Sequence, residues 1–204
     1  MAPVAPDSGD KPRSAVGRPR SERARTAILS AAADLLFEQG IDHLTVDGIA
    51  HRAGVSKATI YRWWPSKAAV AVDAYVTTVG PLAPIRDRGD LAAELAEPAL
   101  AQLRLLRDTR VGTGLKSIIA AAQHDPEVGR VFRERWLVPR RQMALEPIRR
   151  AQQRGELPLD ADGEAMLDAI FGPIYYRLLA GHAPLDDSLV GALVQMVLAA
   201  VPRT

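Results

Sequence analysis

"AGVSKATIYRWWPSK", residues 53–67, decides how this chain is read. Gly54 can take the positive φ that closes a helix, and Ser56 can cap the next one. Pro65 stops that second helix, because the residue before a proline avoids the helical region. Ile60 and Trp64 lie four apart and share one side, while Lys57, Ala58, Thr59 and Arg62 point elsewhere. Neighbours on a helix are about 100° apart, so Trp63 and Trp64 cannot both be central to one packed face. Trp64 is assigned to the core and Trp63 to a partly exposed position.

The residues upstream complete a motif. Thr45 caps a short helix with Asp47 in its first turn and Val46, Ile49, Ala50 and Ala53 on one apolar face. Two short helices joined by a few residues around a glycine form a helix-turn-helix, with Val55 as the plug at its corner. A longer helix precedes it. Ile28, Leu29, Ala32, Leu35 and Leu36 recur at helical spacing, Ser21 can cap the start, and Gly40 can end it. In such a unit Lys57, Ala58, Thr59 and Arg62 can enter a major groove, where Arg and Lys meet guanine edges and a methyl meets thymine. Tyr61, Trp63 and Lys67 flank them at the height of the phosphates.

Charge distribution points the same way. Up to residue 67, ten Lys and Arg face seven Asp and Glu; beyond it, sixteen face seventeen. Lys11, Arg13, Arg18, Arg20, Arg23 and Arg25 meet only Glu22 over their stretch, a pattern attracted to polyanions. Residues 1–20 are rich in proline and poor in large apolar side chains, so they read as a disordered basic arm. The 204 residues hold no cysteine, which excludes a disulfide framework, a thiolate nucleophile and a Cys-based zinc site. No apolar run reaches the roughly 18 residues of a spanning helix, and the first thirty residues lack a signal peptide's apolar stretch. A cytoplasmic protein with no membrane partner is expected.

The stretch "ARTAILSAAADLLFEQGIDHLTVDGIAHRAGVSKATIYRWWPSKAAV" resembles the N-terminal domain of the TetR family of transcriptional regulators. Helix 1 ends in a glycine, a Thr opens helix 2, "AGVSKATIY" spans the turn and recognition helix, and Lys67 follows Tyr61 by six residues. The resemblance implies an all-α homodimeric repressor on a double-stranded operator, palindromic to match the dimer, and responsive to a small-molecule effector. Carried over by position, Lys57, Ala58, Thr59 and Arg62 approach base edges, and Thr45, Tyr61, Trp63 and Lys67 meet phosphates. Trp63 departs from the His or Arg of many relatives, and an indole donates only one N–H. Activation in place of repression, and effector-promoted binding in place of release, stay open.

The rest of the chain reads as helices. "GPLAPIRDRG" breaks the pattern after a helix over 66–79. Residues 21–67 are assigned to the DNA-binding domain and 68–204 to a helical ligand-binding and dimerisation domain. Leu91, Leu95, Ala99, Leu103 and Leu106 outline one helix, bent at Pro98; Leu115, Ile118, Ile119 and Ala122 outline another. Asp125 before Pro126 is a strong helix start, and Pro139 and Pro147 should divide the helix beginning there into two or three segments before Gly155. Two amphipathic helices close the chain, the last capped by Asp186 or Asp187. They suit a four-helix dimer interface, with Leu178, Leu189, Leu193, Met196 and Val197 as its candidates. A ligand pocket would lie among the middle helices, lined by Leu103, Phe132, Trp136, Met143, Phe171 and Tyr175, with His124 or Gln123 as its polar end, although an aromatic or Met at helical spacing is more often core than pocket.

Rival functions find less support. There is no Walker loop, no G-x-S-x-G and no H-E-x-x-H, and His43, His51, His124 and His182 are scattered, so no catalytic residue, cofactor or metal site is assigned. "GTG" at Gly112 lacks both a third glycine and a preceding strand. An architectural DNA binder would share the basic arm but would not need a defined recognition helix; a partner-binding pseudo-regulator is the remaining alternative.

Overall fold

The computed structural model describes residues 17–81, 83–107 and 109–201, and all regular structure among them is helical. The N-terminal part comprises α1 (Gly17–His43), α2 (Val46–Ala53), α3 (Lys57–Tyr61) and α4 (Lys67–Val79). The remainder comprises α5 (Leu91–Arg107), α6 (Thr109–Ala122), α7 (Pro126–Phe132), a π-helical turn at Arg133–Leu137, α8 (Val138–Gln153), α9 (Gly163–Ala180) and α10 (Asp187–Ala200). No helix among the described residues is long and apolar enough to cross a membrane.

The caps expected at Thr45, Ser56, Asp125 and Asp186 are in place, joined by Ser66 and Asp162, because each satisfies a backbone N–H that a helix start leaves open. Thr45, Ser56 and Ser66 accept from Gly48, Thr59 and Ala69, and Asp125, Asp162 and Asp186 do the same for α7, α9 and α10. The start of α1 departs from expectation. Its backbone is helical from Gly17, so Ser21 lies inside the helix and residues 17–20 are not part of an irregular arm. Lys11 and Arg13, with the rest of 1–16, lie outside the described residues.

Gly40 interrupts α1 at φ 81°, and the chain then resumes for one more turn instead of ending there. The break is held by side chains from two other helices. Ile41 N–H donates to Ser117 Oγ at 2.7 Å, and Lys67 Nζ donates to the Ile41 carbonyl at 3.1 Å. A Cβ at Gly40 would stand 2.9 Å from Ser117 Oγ, so both the backbone angle and the space demand glycine.

The middle of the chain divides ahead of Pro139, whereas Pro147, expected to divide it as well, lies inside α8. Pro139 has no N–H, and its ring would collide with the carbonyl four residues back in a regular α-helix. The backbone widens instead: Val138 N–H reaches the Arg133 carbonyl, five residues away. Pro98, Pro147 and Pro173 are carried inside α5, α8 and α9.

Helix α4 is buried along almost its whole length, through Ala68, Ala69, Val70, Ala71, Val72, Ala74 and Tyr75. It packs on α1, α6, α7 and the π-helical turn. One continuous apolar cluster therefore runs from Ile28 to Val197. Its polar exceptions among the described residues are Gln102 and Glu94, both on α5, and Glu94 is fully buried and joined to Arg150 of α8 at 2.6 Å. Burial opposes the charge on Glu94, but the Arg150 guanidinium and the Arg88 N–H at 2.7 Å outweigh it and hold the carboxyl below its ordinary range.

A depressed carboxyl stabilises the fold above its unfolded pKa of roughly 4.3, and that stability is lost as pH falls through the lower folded value. Arg150→Met leaves the buried carboxylate uncompensated, and denaturant titration at pH 7 should show a loss of about 3–5 kcal/mol. Without its partner Glu94 is raised, so the variant should be more stable at pH 5 than at pH 7. A variant with the slope of the parent would show that the pair does not carry this part of the fold.

Candidate nucleic-acid interface and interior cavity

The turn between α2 and α3 follows from its glycine. Gly54 adopts φ 65°, closing α2 with N–H bonds to the Ala50 and His51 carbonyls, and Val55 N–H returns to the Ala50 carbonyl at 3.0 Å. Ser56 then starts α3, which is only five residues long. Arg62 is therefore the residue that caps its end, and Trp64 lies just beyond the helix. Trp64 is nevertheless buried beside Ile60, its N–H still bonded to the Ile60 carbonyl at 3.0 Å. Trp63 remains 37% exposed.

The burial of Trp64 has a polar condition. Its indole N–H donates to Asp73 Oδ2 of α4 at 2.7 Å, and the same carboxylate oxygen pairs with Arg135 of the π-helical turn. Asp73 thus ties the end of the recognition helix to the middle of the chain. Sequence reasoning missed this link; the one signal available was that a buried indole N–H needs an acceptor.

Outward from α3, Lys57, Ala58, Tyr61 and Arg62 are exposed. Lys57 is paired with Asp47 at 2.9 Å, and that hydrogen bond holds its ammonium above the ordinary lysine range. Thr59 is half-buried and its hydroxyl lies 2.9 Å from Ser56 Oγ, so the cap engages the group assigned to base reading and its methyl is what remains. Thr45 is exposed, with Oγ1 accepting from Gly48 N–H at 3.0 Å. Lys67 is half-buried and commits one donor to the Ile41 carbonyl, which leaves two for a phosphate.

The cavity candidates separate into two groups. Met143 and Phe171 line a 310 Å³ cavity between the segment at 79–85, α5, α8 and α9. Phe171 and Tyr175 line a second, of 260 Å³, against α8 and α9. The two share Gln102, Arg140, Ala144 and Phe171, so they are lobes on either side of the same residues. Leu103, Phe132 and Trp136 are buried core and line neither lobe. His124 stands exposed 3.8 Å from Asp42, and Gln123 donates to the Ile119 carbonyl on the exposed surface, so neither is a polar end of the cavity. Gln102 and Arg140 take that place. Periodicity gave no hint of either, because charged and amide side chains are counted as solvated by default.

An aromatic column runs behind the cavity wall. The Arg140 guanidinium lies 3.2 Å from the Trp136 ring centroid, Trp136 meets Tyr75 of α4 edge-on at 4.8 Å, and Tyr75 meets Phe37 of α1 at 6.2 Å. Elsewhere on α9, Tyr176 and Leu179 are 65% and 50% exposed, and Met196 of α10 is 66% exposed. Leu193 and Val197, assigned to a dimer face, are instead buried within the chain where α10 packs on α5, and Leu178 and Leu189 are half-buried.

Comparison with known proteins covers both halves of the chain. Residues 28–74 match the family model for bacterial regulatory proteins of the tetR family, and residues 85–197 match the tetracyclin repressor-like C-terminal domain. An uncharacterized HTH-type transcriptional regulator, YdeS of Bacillus subtilis, is 43% identical over 92% of this chain and 94% of its own. The DNA-binding transcriptional repressor TetR of Mycobacteroides abscessus is 31% identical over 90% of this chain and 96% of its own. Among solved structures, the TetR family transcription regulator SCO0332 superposes with a TM-score of 0.73 at 36% identity, covering 88% of this chain and 99% of that one.

The Trp64–Asp73 bond is open to a double-mutant cycle. Asp73→Ala leaves a buried indole donor unpaired and should cost about 1–3 kcal/mol in denaturant titration. Trp64→Phe removes the donor, so the second substitution should cost measurably less in that background, with a coupling of about 1 kcal/mol. Strictly additive losses would show that the two side chains are energetically independent.

Proposed function

The chain belongs to the TetR family of helix-turn-helix transcriptional regulators, and from that premise we propose that it is a ligand-responsive repressor acting as a homodimer on a palindromic operator. The observation that carries this reading is the continuity from the cavity wall to α3. Arg140 stacks on Trp136, the adjacent Arg135 holds Asp73, and Asp73 holds Trp64 at the end of α3. A ligand that moves the π-helical turn displaces α4 and with it the recognition helix, since packed helices shift between discrete arrangements. The M. abscessus relative is a DNA-binding transcriptional repressor, which favours repression over activation here.

On the operator, Lys57, Ala58, Arg62 and the Thr59 methyl face base edges, while Thr45, Tyr61, Trp63 and Lys67 meet the backbone. Lys57 exchanges Asp47 for DNA at little cost, because an exposed ion pair contributes little. The basic residues up to Arg25 add sequence-independent attraction. Dimerisation uses the exposed face of α9 and α10, where Ala169, Gly172, Tyr176 and Leu179 follow helical spacing beside Met196. Two copies of a small-residue stripe with large apolar neighbours can approach closely about a two-fold axis. The protein acts in the cytoplasm, where its operator is.

Arg62→Ala should weaken operator binding by about 1–3 kcal/mol and relax preference at one base pair, measured by fluorescence anisotropy on a set of single-base variants. Equal losses on operator and random DNA would remove Arg62 from base reading. Leu179→Asp should convert a dimer into a folded monomer in analytical ultracentrifugation; an unchanged dimer would place the interface on another face.

A further inference from the structure

We propose that the effector is an amphipathic carboxylic acid, whose carboxylate seats between Arg140 and Gln102 while its apolar body fills the two lobes. The proposal rests on the ligand-responsive reading above and specifies the chemistry of its cavity.

The case begins with an imbalance of donors. Arg135, Arg141 and Arg150 surround the same region, and each has a carboxylate partner: Asp73, Glu164 with Asp168, and Glu94. Arg140 has none within ion-pair distance among the described residues, although it is half-buried and lines both lobes. The acids in the walls are already neutralised. Glu97 pairs with Arg88 at 2.9 Å, and Asp168 with Arg141 at 2.6 Å. Burial pushes the Arg140 guanidinium down to about 10, which still leaves it charged near neutral pH.

Gln102 supplies an independent observation. It is only 8% exposed, lines both lobes, and its Nε2 has no hydrogen-bond partner. The Tyr75 hydroxyl is unpartnered too, but Tyr75 and Trp136 lie in the core beneath Arg140 and line neither lobe, so they are not part of the site. Gln102 Nε2 and the Arg140 guanidinium, the two that line both lobes, are donors. A buried site with a surplus of donors and a cation calls for a ligand rich in acceptors, and an isolated buried charge is costly unless paired. A guanidinium fork matches a carboxylate in two parallel bonds. The remaining wall is apolar, with Val79, Ile85, Pro98, Met143 and Phe171 forming much of it, so the rest of the ligand is aliphatic or aromatic.

The test uses full-length protein and matched pairs that differ only in charge: octanoate against octanamide, and 4-phenylbutyrate against 4-phenylbutanamide. Affinity is read by calorimetry and by tryptophan fluorescence, without DNA. At least one acid should bind about tenfold or more tightly than its amide. Arg140→Met should abolish that preference, Gln102→Met should reduce it, and Arg140→Lys, which keeps the charge but loses the fork, should fall between. Unfolding profiles of the three variants establish that each is folded, and the Lys and Gln102 variants carry the test if the Met variant is not. Amides that bind as well as acids, an acid preference that survives in every variant, or acids that fail to bind would each overturn the proposal. Operator release is measured separately with the neutral compounds: amides that release DNA would keep the ligand-responsive reading while discarding the anion.

Discussion

The hydrogen bond from Trp64 to Asp73 is the constraint on which the rest of this structure depends. α3 is too short to hold its own orientation, because five residues close few internal bonds and bury one large side chain, Ile60. The indole of Trp64 adds the apolar area, but burying it requires an acceptor for its N–H. Asp73 meets that need from α4, and Arg135 in turn compensates the carboxylate. Recognition helix, central helix and π-helical turn are thereby joined through one side chain.

That arrangement explains why α4 has so little surface. It is a run of alanines and valines whose small side chains let α1, α6, α7 and the π-helical turn close on it from several sides. The same close approach appears at Gly114 of α6, where a Cβ would stand 2.5 Å from the Phe37 ring. A helix packed on so many sides cannot tilt alone, since interiors near crystal density transmit displacement. Movement at the cavity wall and movement at α3 are then alternatives of one packed unit.

The polar groups of the interior obey two regimes. Glu94 and Arg150 are buried as a compensated pair that joins α5 to α8. Arg140, also on α8, is accompanied by the Trp136 ring and lines the same lobes as the unpartnered Gln102 amide, with no carboxylate within ion-pair distance among the described residues. The first is a structural contact whose members satisfy each other, while the second leaves donors without partners among the described residues.

Much of this was legible in the residues themselves. Thr45, Gly54, Ser56 and Asp125 act through their own backbones, so caps, turns and helix order come from local chemistry; the split burial of Trp63 and Trp64 was expected from helical spacing, although both residues lie beyond the end of α3. The length of α3, the resumption of helix after Gly40 and the helical start at Gly17 were not legible, because helix ends depend on what packs against them. The cavity was half legible: Met143, Phe171 and Tyr175 line it, whereas Leu103, Phe132 and Trp136 fill the core and His124 lies outside. An apolar side chain at helical spacing points inward, but whether it meets another side chain or a void depends on how separate helices cross. The sequence by itself determined the elements and the outward set on α3, since both rest on contacts between near neighbours. Only the tertiary structure decided that Asp73 would serve Trp64, that Lys67 would serve Ile41, and that Arg140 would stand without a carboxylate, because each depends on residues brought together across the fold.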